Sequence, residues 1–370
     1  MASANRAELN FVEEAEFGVN PGGEGQLVRM NSTSLQLEPI SVQSEELRSD
    51  RGRARGKRLA GQVTGDIVGN FFPGDPSMEN LLRMLAGQSA WPAAGEGKTG
   101  GAIAGGGVVT LNAHGFTAGQ WVRLSGLDDE AANKWYRITA VDANTFTLAN
   151  PPSNLTGSPV WKGSYLKGNG IEARSASFEV WLDDAQDSFE YRGVMIGSLA
   201  LDLSPESIIV GTFGTLGSTH RHGEARTINP GTASTVAPIV TGEGGDVQGY
   251  IDDQDTGVVT SVSLNIDAGL RREPALWSPP RIALGTVSLT GSMEIFTDDF
   301  TRYDDFVNAT ARRLDVIFGT EDDWLALSIS QADFTGATVL VEGIDTSALL
   351  RLDFEASVKG TEGVYGWTKG

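Results

Sequence analysis

The sequence predicts a mainly β protein built from two related modules in tandem, each carrying one short helix, with a small β domain inserted into the first. Three observations lead there. The first is strand-like alternation: Leu199, Leu201 and Leu203 interleave with Ala200, Asp202 and Ser204, and Leu350, Leu352, Phe354 and Ala356 with Arg351, Asp353, Glu355 and Ser357. A half-buried antiparallel sheet produces this period of two. The second is repetition. Glu46-Leu47-Arg48, a loop, a strand pattern over 58–68 and an apolar-striped stretch over 77–86 return as Gly269-Leu270-Arg271, a loop, a strand pattern over 281–295 and a second helical stretch over 302–314. A spacing of about 226 residues is too long for a solenoid repeat and suits two copies of one domain. The third is glycine, 47 residues scattered among β-branched runs, as many strands joined by turns require.

In chain order, residues 1–30 are polar, contain Asn20-Pro21-Gly22-Gly23, and read as an N-terminal arm that orders against a neighbour. Residues 31–95 and 167–217 form the first module. Within it, Arg48, Arg51, Arg53, Arg55, Lys57 and Arg58 make a basic island in a long hairpin loop, spaced by Gly52 and Gly56. A strand over 62–71 stops at Pro73-Gly74-Asp75-Pro76. Asp75 or Ser77 caps the next helix, whose Met78, Leu81, Leu82 and Leu85 share one face, and Gly87 ends it. Residues 96–166, between glycine-rich and Pro151-Pro152-Ser153 borders, carry three strand patterns with no counterpart in the second copy: an inserted β domain, expected to be removable. The Gly, Thr and Asp-rich stretch 218–257 reads as a linker, 258–360 as the second module and 361–370 as a tail.

Composition narrows the function. Forty per cent hydrophobic residues over 370 positions suffice for several cores, and no apolar run approaches the ~18 residues of a membrane span. Residues 1–8 show no secretory signal core, which points to synthesis in a cytoplasm. Without cysteine there is neither a disulfide nor a thiolate site. A net charge of −20 opposes broad binding to nucleic acid, which needs Lys and Arg to neutralise phosphates. Acidity serves solubility equally well. The basic island has two readings, a nucleic-acid arm or a loop docking onto an acidic neighbour; in so acidic a chain another copy is the obvious partner, and docking is favoured.

No catalytic constellation emerges. His220-Arg221-His222 beside Glu224 is the one histidine cluster, and it lacks a third ligand at motif spacing. Pairs such as Asp183-Asp184, Asp252-Asp253, Asp298-Asp299, Asp304-Asp305 and Asp322-Asp323 have no calcium-loop spacing, and neighbours on a strand point to opposite faces. Neither a nucleophile elbow, a phosphate-binding glycine loop nor a zinc-protease helix occurs. No enzyme, cofactor or metal is expected.

An ordered series of segments resembles the major tail tube proteins of long non-contractile tailed bacteriophages. It comprises the charged hairpin loop 45–58, the strand 61–68, the Pro-bounded helix 76–85, and the segments 174–177, 193–203 and 211–217; residues 259–270, 285–296, 303–306 and 349–359 repeat the pattern. The resemblance covers all but the insert and implies a β-sandwich flanked by one helix, whose sheet joins those of neighbours into a ring with an inner β-barrel. Rings stack into a virion tube through which the genome passes without specific binding. The implied partners are further copies of the chain, a tape measure protein and tail terminator or tip proteins. Two modules per chain imply a ring of three subunits with pseudo-hexameric symmetry, a six-subunit ring being the alternative. The basic loop (Arg48, Arg51, Arg53, Arg55, Lys57, Arg58) is then assigned to contacts between rings, and the insert to the tube exterior. Alternation alone selects Asp202, Asp267, Glu294, Asp353 and Glu355 as lumen-facing acids. A competing reading, a surface adhesin or carbohydrate-binding protein, rests on the insert and an expected exposure of Trp121, Trp135 and Trp161.

Overall fold

The computed structural model describes residues 3–46, 49–50, 52, 55–59, 61–92, 97–231, 238–242, 245–255, 259–277, 280–296, 301–341, 347–360 and 362–370. The protein is mainly β. Its principal elements are β1 (Ala7–Glu13), β2 (Ser32–Thr33), β3 (Gln36–Glu38), β4 (Gln62–Asn70), α1 (Pro76–Leu85), β5 (Ala176–Leu182), β6 (Asp187–Leu203), β7 (Val210–Gly217) and β8 (Thr219–Gly223). They continue as β9 (Val247–Ile251), β10 (Val259–Asp267), β11 (Ser288–Phe296), α2 (Thr301–Val307), β12 (Arg312–Gly319), β13 (Trp324–Leu340), β14 (Leu349–Ala356) and β15 (Tyr365–Lys369).

Pairing reveals the duplication directly. One layer of the first half runs β2/β3, β4, β7 and the C-terminal part of β6; the second half runs β10, β11, β14 and the C-terminal part of β13. The other layers, β1–β5–β6–β8 and β9–β12–β13–β15, also correspond. β6 and β13 each have 17 residues and belong to both layers of their half. The bends fall at matching bulges, between Ile196 and Ser198 opposite β7 and between Phe334 and Gly336 opposite β14. A bulge inserts a residue and increases local twist, which lets one strand turn from sheet to sheet.

Alternation builds the core between the layers. Val63 and Ile67 of β4, Leu199 and Leu201 of β6, Leu264 and Ile266 of β10, and Leu350 and Leu352 of β14 point inward and are buried. α1 covers one end. The Asp75 carboxylate accepts from the Ser77 and Met78 amides at 2.9 and 3.2 Å, Pro76 starts the helix, and Met78, Leu81, Leu82 and Leu85 bury its apolar face.

Four segments differ from the sequence expectation. The second helix ends at Val307, where Ala309 takes a positive φ of 49° and the Asn308, Ala309 and Thr310 amides cap the last turn; 312–314 already belong to β12. Within the expected arm, Ala7–Glu13 pairs with β5 along its whole length and buries Leu9 and Phe11. Within the expected linker, β8 pairs with β6, and β9 pairs with β12. Within the expected tail, β15 buries Tyr365 and Trp367 against β13. These strands are short and polar-flanked, and each pairs with a strand that is not its neighbour in a local hairpin pattern, β1 with the distant β5 above all, so no local pattern announces them.

The strands between Lys98–Thr99 and Gly157–Lys162 form a separate sheet around Val122, Leu124, Ile138, Phe146 and Trp161. This insert packs against the second half. Trp121 lies tilted against Tyr250 with ring centroids 4.7 Å apart, Trp135 meets Trp324 edge-on at 6.3 Å, and Ile317 and Ala326 complete the apolar contact. Polar links surround it. Arg123 pairs with Glu321 at 2.5 Å, Arg137 pairs with Asp253, and Arg313 donates to the Gly119 carbonyl at 2.5 Å.

Candidate assembly surfaces

The two halves are joined edge to edge. β6 of the first pairs with β10 of the second, placing Leu199 opposite Ile266, Leu201 opposite Leu264 and Leu203 opposite Val262. One continuous sheet therefore spans the chain, from β2/β3 at one border to the C-terminal part of β13 at the other. Among the described residues, β2, β3 and residues 333–340 of β13 have a sheet partner on one side only, β4 and β14 respectively. Such edges present unpaired backbone donors and acceptors and are templates for pairing with another chain.

The sheet's outward face is acidic. Asp202, Asp267, Glu294, Asp353 and Glu355 all alternate with core residues and lie on the face turned away from the core. Register aligns them in rows: Asp202 faces Ser263, which faces Ser292, which faces Asp353. Ser263 Oγ donates to Asp202 at 2.7 Å and Ser261 Oγ to Glu294 at 3.2 Å, while Arg351 donates to Asp353 at 3.3 Å. Arg351 is the sole Lys or Arg on the described strands of this sheet that span 32–38, 62–70, 195–217, 259–267, 288–296, 332–340 and 349–356. Asp66 of β4 and Asp333 of β13 share the face. Neither is among the acids that alternation selects above, although Asp66 carries the same signal, a carboxylate beside the core residue Ile67.

Of the basic island, Arg48, Arg51 and Arg53 lie outside the described residues. Arg55, Lys57 and Arg58 are exposed on a hairpin made by Ser41–Val42 and Lys57–Arg58 that extends β3 and β4 past the sheet's end. A second hairpin, Arg271–Glu273 with Arg281–Ala283, extends β10 and β11 at the same end.

Buried carboxylates organise the opposite layer. Glu14 accepts from Ser175 Oγ, Ser177 Oγ, and the amides of Gly18 and Gly193 at 2.6–2.9 Å. Glu179 accepts from Ser188 Oγ and from the Thr227 and Ile228 amides, holding the 224–231 segment across β5. Burial raises the Glu190 carboxyl's pKa, but hydrogen bonds from Arg192 and Asn20 and the charges of Arg192 and Arg221 outweigh it and bring the value below the ordinary one. In the second half Asp315 lies at the position matching Glu179 and pairs with buried Arg313 at 2.9 Å. A buried ion without such partners would be costly. Glu14 and Glu179 thus fasten loops, and Asp315 anchors a buried arginine.

His220 and His222 pack on Tyr191 and Phe189, and among the described residues no group of three or more His, Cys, Asp or Glu is arranged to hold a metal. Trp121 and Trp161 are 3% and 0% exposed and Trp135 is half-buried, contrary to the expected exposure. The adhesin reading thereby loses the aromatic platform that motivated it. Among the described residues no helix is long and apolar enough to cross a membrane.

Comparison with known proteins adds one finding. A family model described as phage tail tube protein matches residues 4–356, which includes the first half, the insert and the second half up to the end of β14. No curated protein matches the sequence.

Proposed function

The chain belongs to the phage tail tube protein family, and from that premise we propose that three copies close into a ring whose inner wall is the continuous sheet and that rings stack into an acidic-lined conduit for the genome. The observation that carries this reading is the internal β6–β10 seam. Since the halves share one strand order, the seam inside the chain is a template for the seam between chains. β13 corresponds to β6, with Ile196 matching Phe334 at the bulge; β2/β3 correspond to β10, with Leu37 matching Ile266. Transferring the register sets Ala337 opposite Leu37, Thr338 opposite Gln36 and Val339 opposite Leu35 of the next chain. Closure then pairs both open edges at once, which is the general remedy for exposed strand edges.

Each chain supplies two of six quasi-equivalent positions, so the insert and the basic loop recur three times per ring. Native mass measurement and electron microscopy of the purified protein are expected to show stacked rings of three chains. Rings of six chains would overturn the stoichiometry, and a protein that stays monomeric under all assembly conditions would overturn the tube itself.

The acidic face would form the lumen wall. DNA carries one negative charge per about 1.7 Å of helix, so fixed carboxylates keep it from adhering. Changing Asp202, Asp267, Asp353 and Glu355 together to Lys is expected to preserve tubes but make them retain DNA, with affinity falling steeply as salt rises. Genome passage at the unaltered rate through such tubes would remove these residues from the lumen. In this reading the protein is a structural component of the virion made in the host cytoplasm. It also meets a tape measure protein inside the tube and terminator or tip proteins at its ends.

A further inference from the structure

We propose that the Leu276–Trp277 hairpin tip of one copy seats in a cavity in the second half of another copy, a head-to-tail contact that rests on the stacking proposed above. Leu276 is 91% and Trp277 95% exposed, an unusual state for two adjacent large apolar side chains. The base of this hairpin is anchored: Ile282 and Pro280 are buried, and Ser218 Oγ donates to the Pro280 carbonyl at 2.9 Å. An apolar tip on a fixed base has little ordering entropy to lose on binding, and tryptophan is the residue most enriched at binding hot spots.

The receiving cavity measures about 340 Å³ and lies between the two layers of the second half, walled by Leu203, Val259, Val262, Met293, Val316 and Phe354. That volume falls in the range of about 300–1,000 Å³ that holds a small molecule, and admits an indole. Among its lining residues Val247, Val259, Val262 and Val316 remain half-buried. In the first half Ile67 stands where Met293 does. There Val28 and the α1 residues Met78 and Leu81 fill the space, and the remaining void is about 10 Å³. Each chain thus has a cavity in one half and an apolar hairpin tip in the same half.

Direction and charge favour a second copy as the occupant. β10 begins at the cavity and ends at the hairpin, so tip and cavity sit at opposite ends of one module. Two complementary patches at opposite ends generate an open head-to-tail stack. The hairpin strands carry Arg271, Arg272 and Arg281 against the single acid Glu273, whereas Asp255 lines the cavity and exposed Glu206 adjoins it. The cavity end also exposes Ile208, Phe296 and Val341, an apolar surround for an incoming hairpin.

Replacing Trp277 with photoreactive p-benzoylphenylalanine keeps an aromatic at the tip and marks whatever it touches. Irradiation of full-length protein mixed with isotope-labelled copies is expected to yield intermolecular adducts on residues 247–264. Adducts elsewhere, adducts within one chain, or none would overturn the contact, while microscopy of the same sample reports separately whether tubes form. Trp277→Ala is expected to leave rings intact and to raise the protein concentration needed for stacking about tenfold or more. Unchanged stacking of that variant would equally overturn the proposal.

Discussion

Oxidation of a Gln36→Cys, Thr338→Cys double variant is expected to lock rings covalently, giving a denaturing-gel product of three chain masses, 3 × 39.2 kDa. The expectation follows from the transferred register, which sets these positions opposite each other across the seam between chains and on the acidic face. Opposed residues of antiparallel strands have Cα atoms about 4.5–5.5 Å apart, inside the range a disulfide spans. The chain contains no cysteine, so the introduced pair has no competitor. Within one chain the two positions lie on opposite borders of the sheet, which forbids an internal bond. A ladder extending to six chains would show that six subunits make the ring. Rings that assemble but do not cross-link would show that the seam between chains uses another register than the internal one.

Removing residues 97–165 is expected to destabilise the remaining chain severely, the opposite of the removable accessory that the repeat pattern suggested. Deletion would expose Trp324, Ile317 and Ala326, all buried in the intact protein, and would take Gly119 and Arg123 away from Arg313 and Glu321. Uncovering large apolar side chains costs about 1.5–3 kcal/mol each. Two of them represent a large share of a net stability of about 5–15 kcal/mol. Thermal unfolding should therefore shift down by many degrees, or the truncated protein should aggregate. Adding Trp324→Gln and Ile317→Thr to the deletion is expected to restore solubility by making the uncovered face polar. A truncated chain that melts with the full-length protein would show that the aromatic contact carries little energy.

The duplicated plan, the strands over 62–70, 259–267 and 349–356, the helix α1 and the acidic face follow from short-range alternation, which side-chain order alone records. The core residues Leu199, Leu201, Leu264 and Ile266 and the acids Asp202 and Asp267 separate by parity along their strands. The end of α2 depended on Ala309 adopting a left-handed conformation, for which alanine gives no sequence signal. β1, β8, β9 and β15 needed partners remote in sequence. The insert's tryptophans looked like an exposed platform because composition does not reveal which surface covers them.

By itself, then, the sequence determined a duplicated, cysteine-free, acidic β protein and the parity that separates its core from its wet face. Those properties reside in neighbouring side chains and survive any arrangement of the modules. Tertiary structure alone decided that the halves share one sheet, that the insert of the first half braces the second, and that an apolar hairpin and a cavity sit at opposite ends. Each of these depends on hydrogen bonds or contacts between segments far apart in the chain, whose pairing is set by register, bulges and burial together.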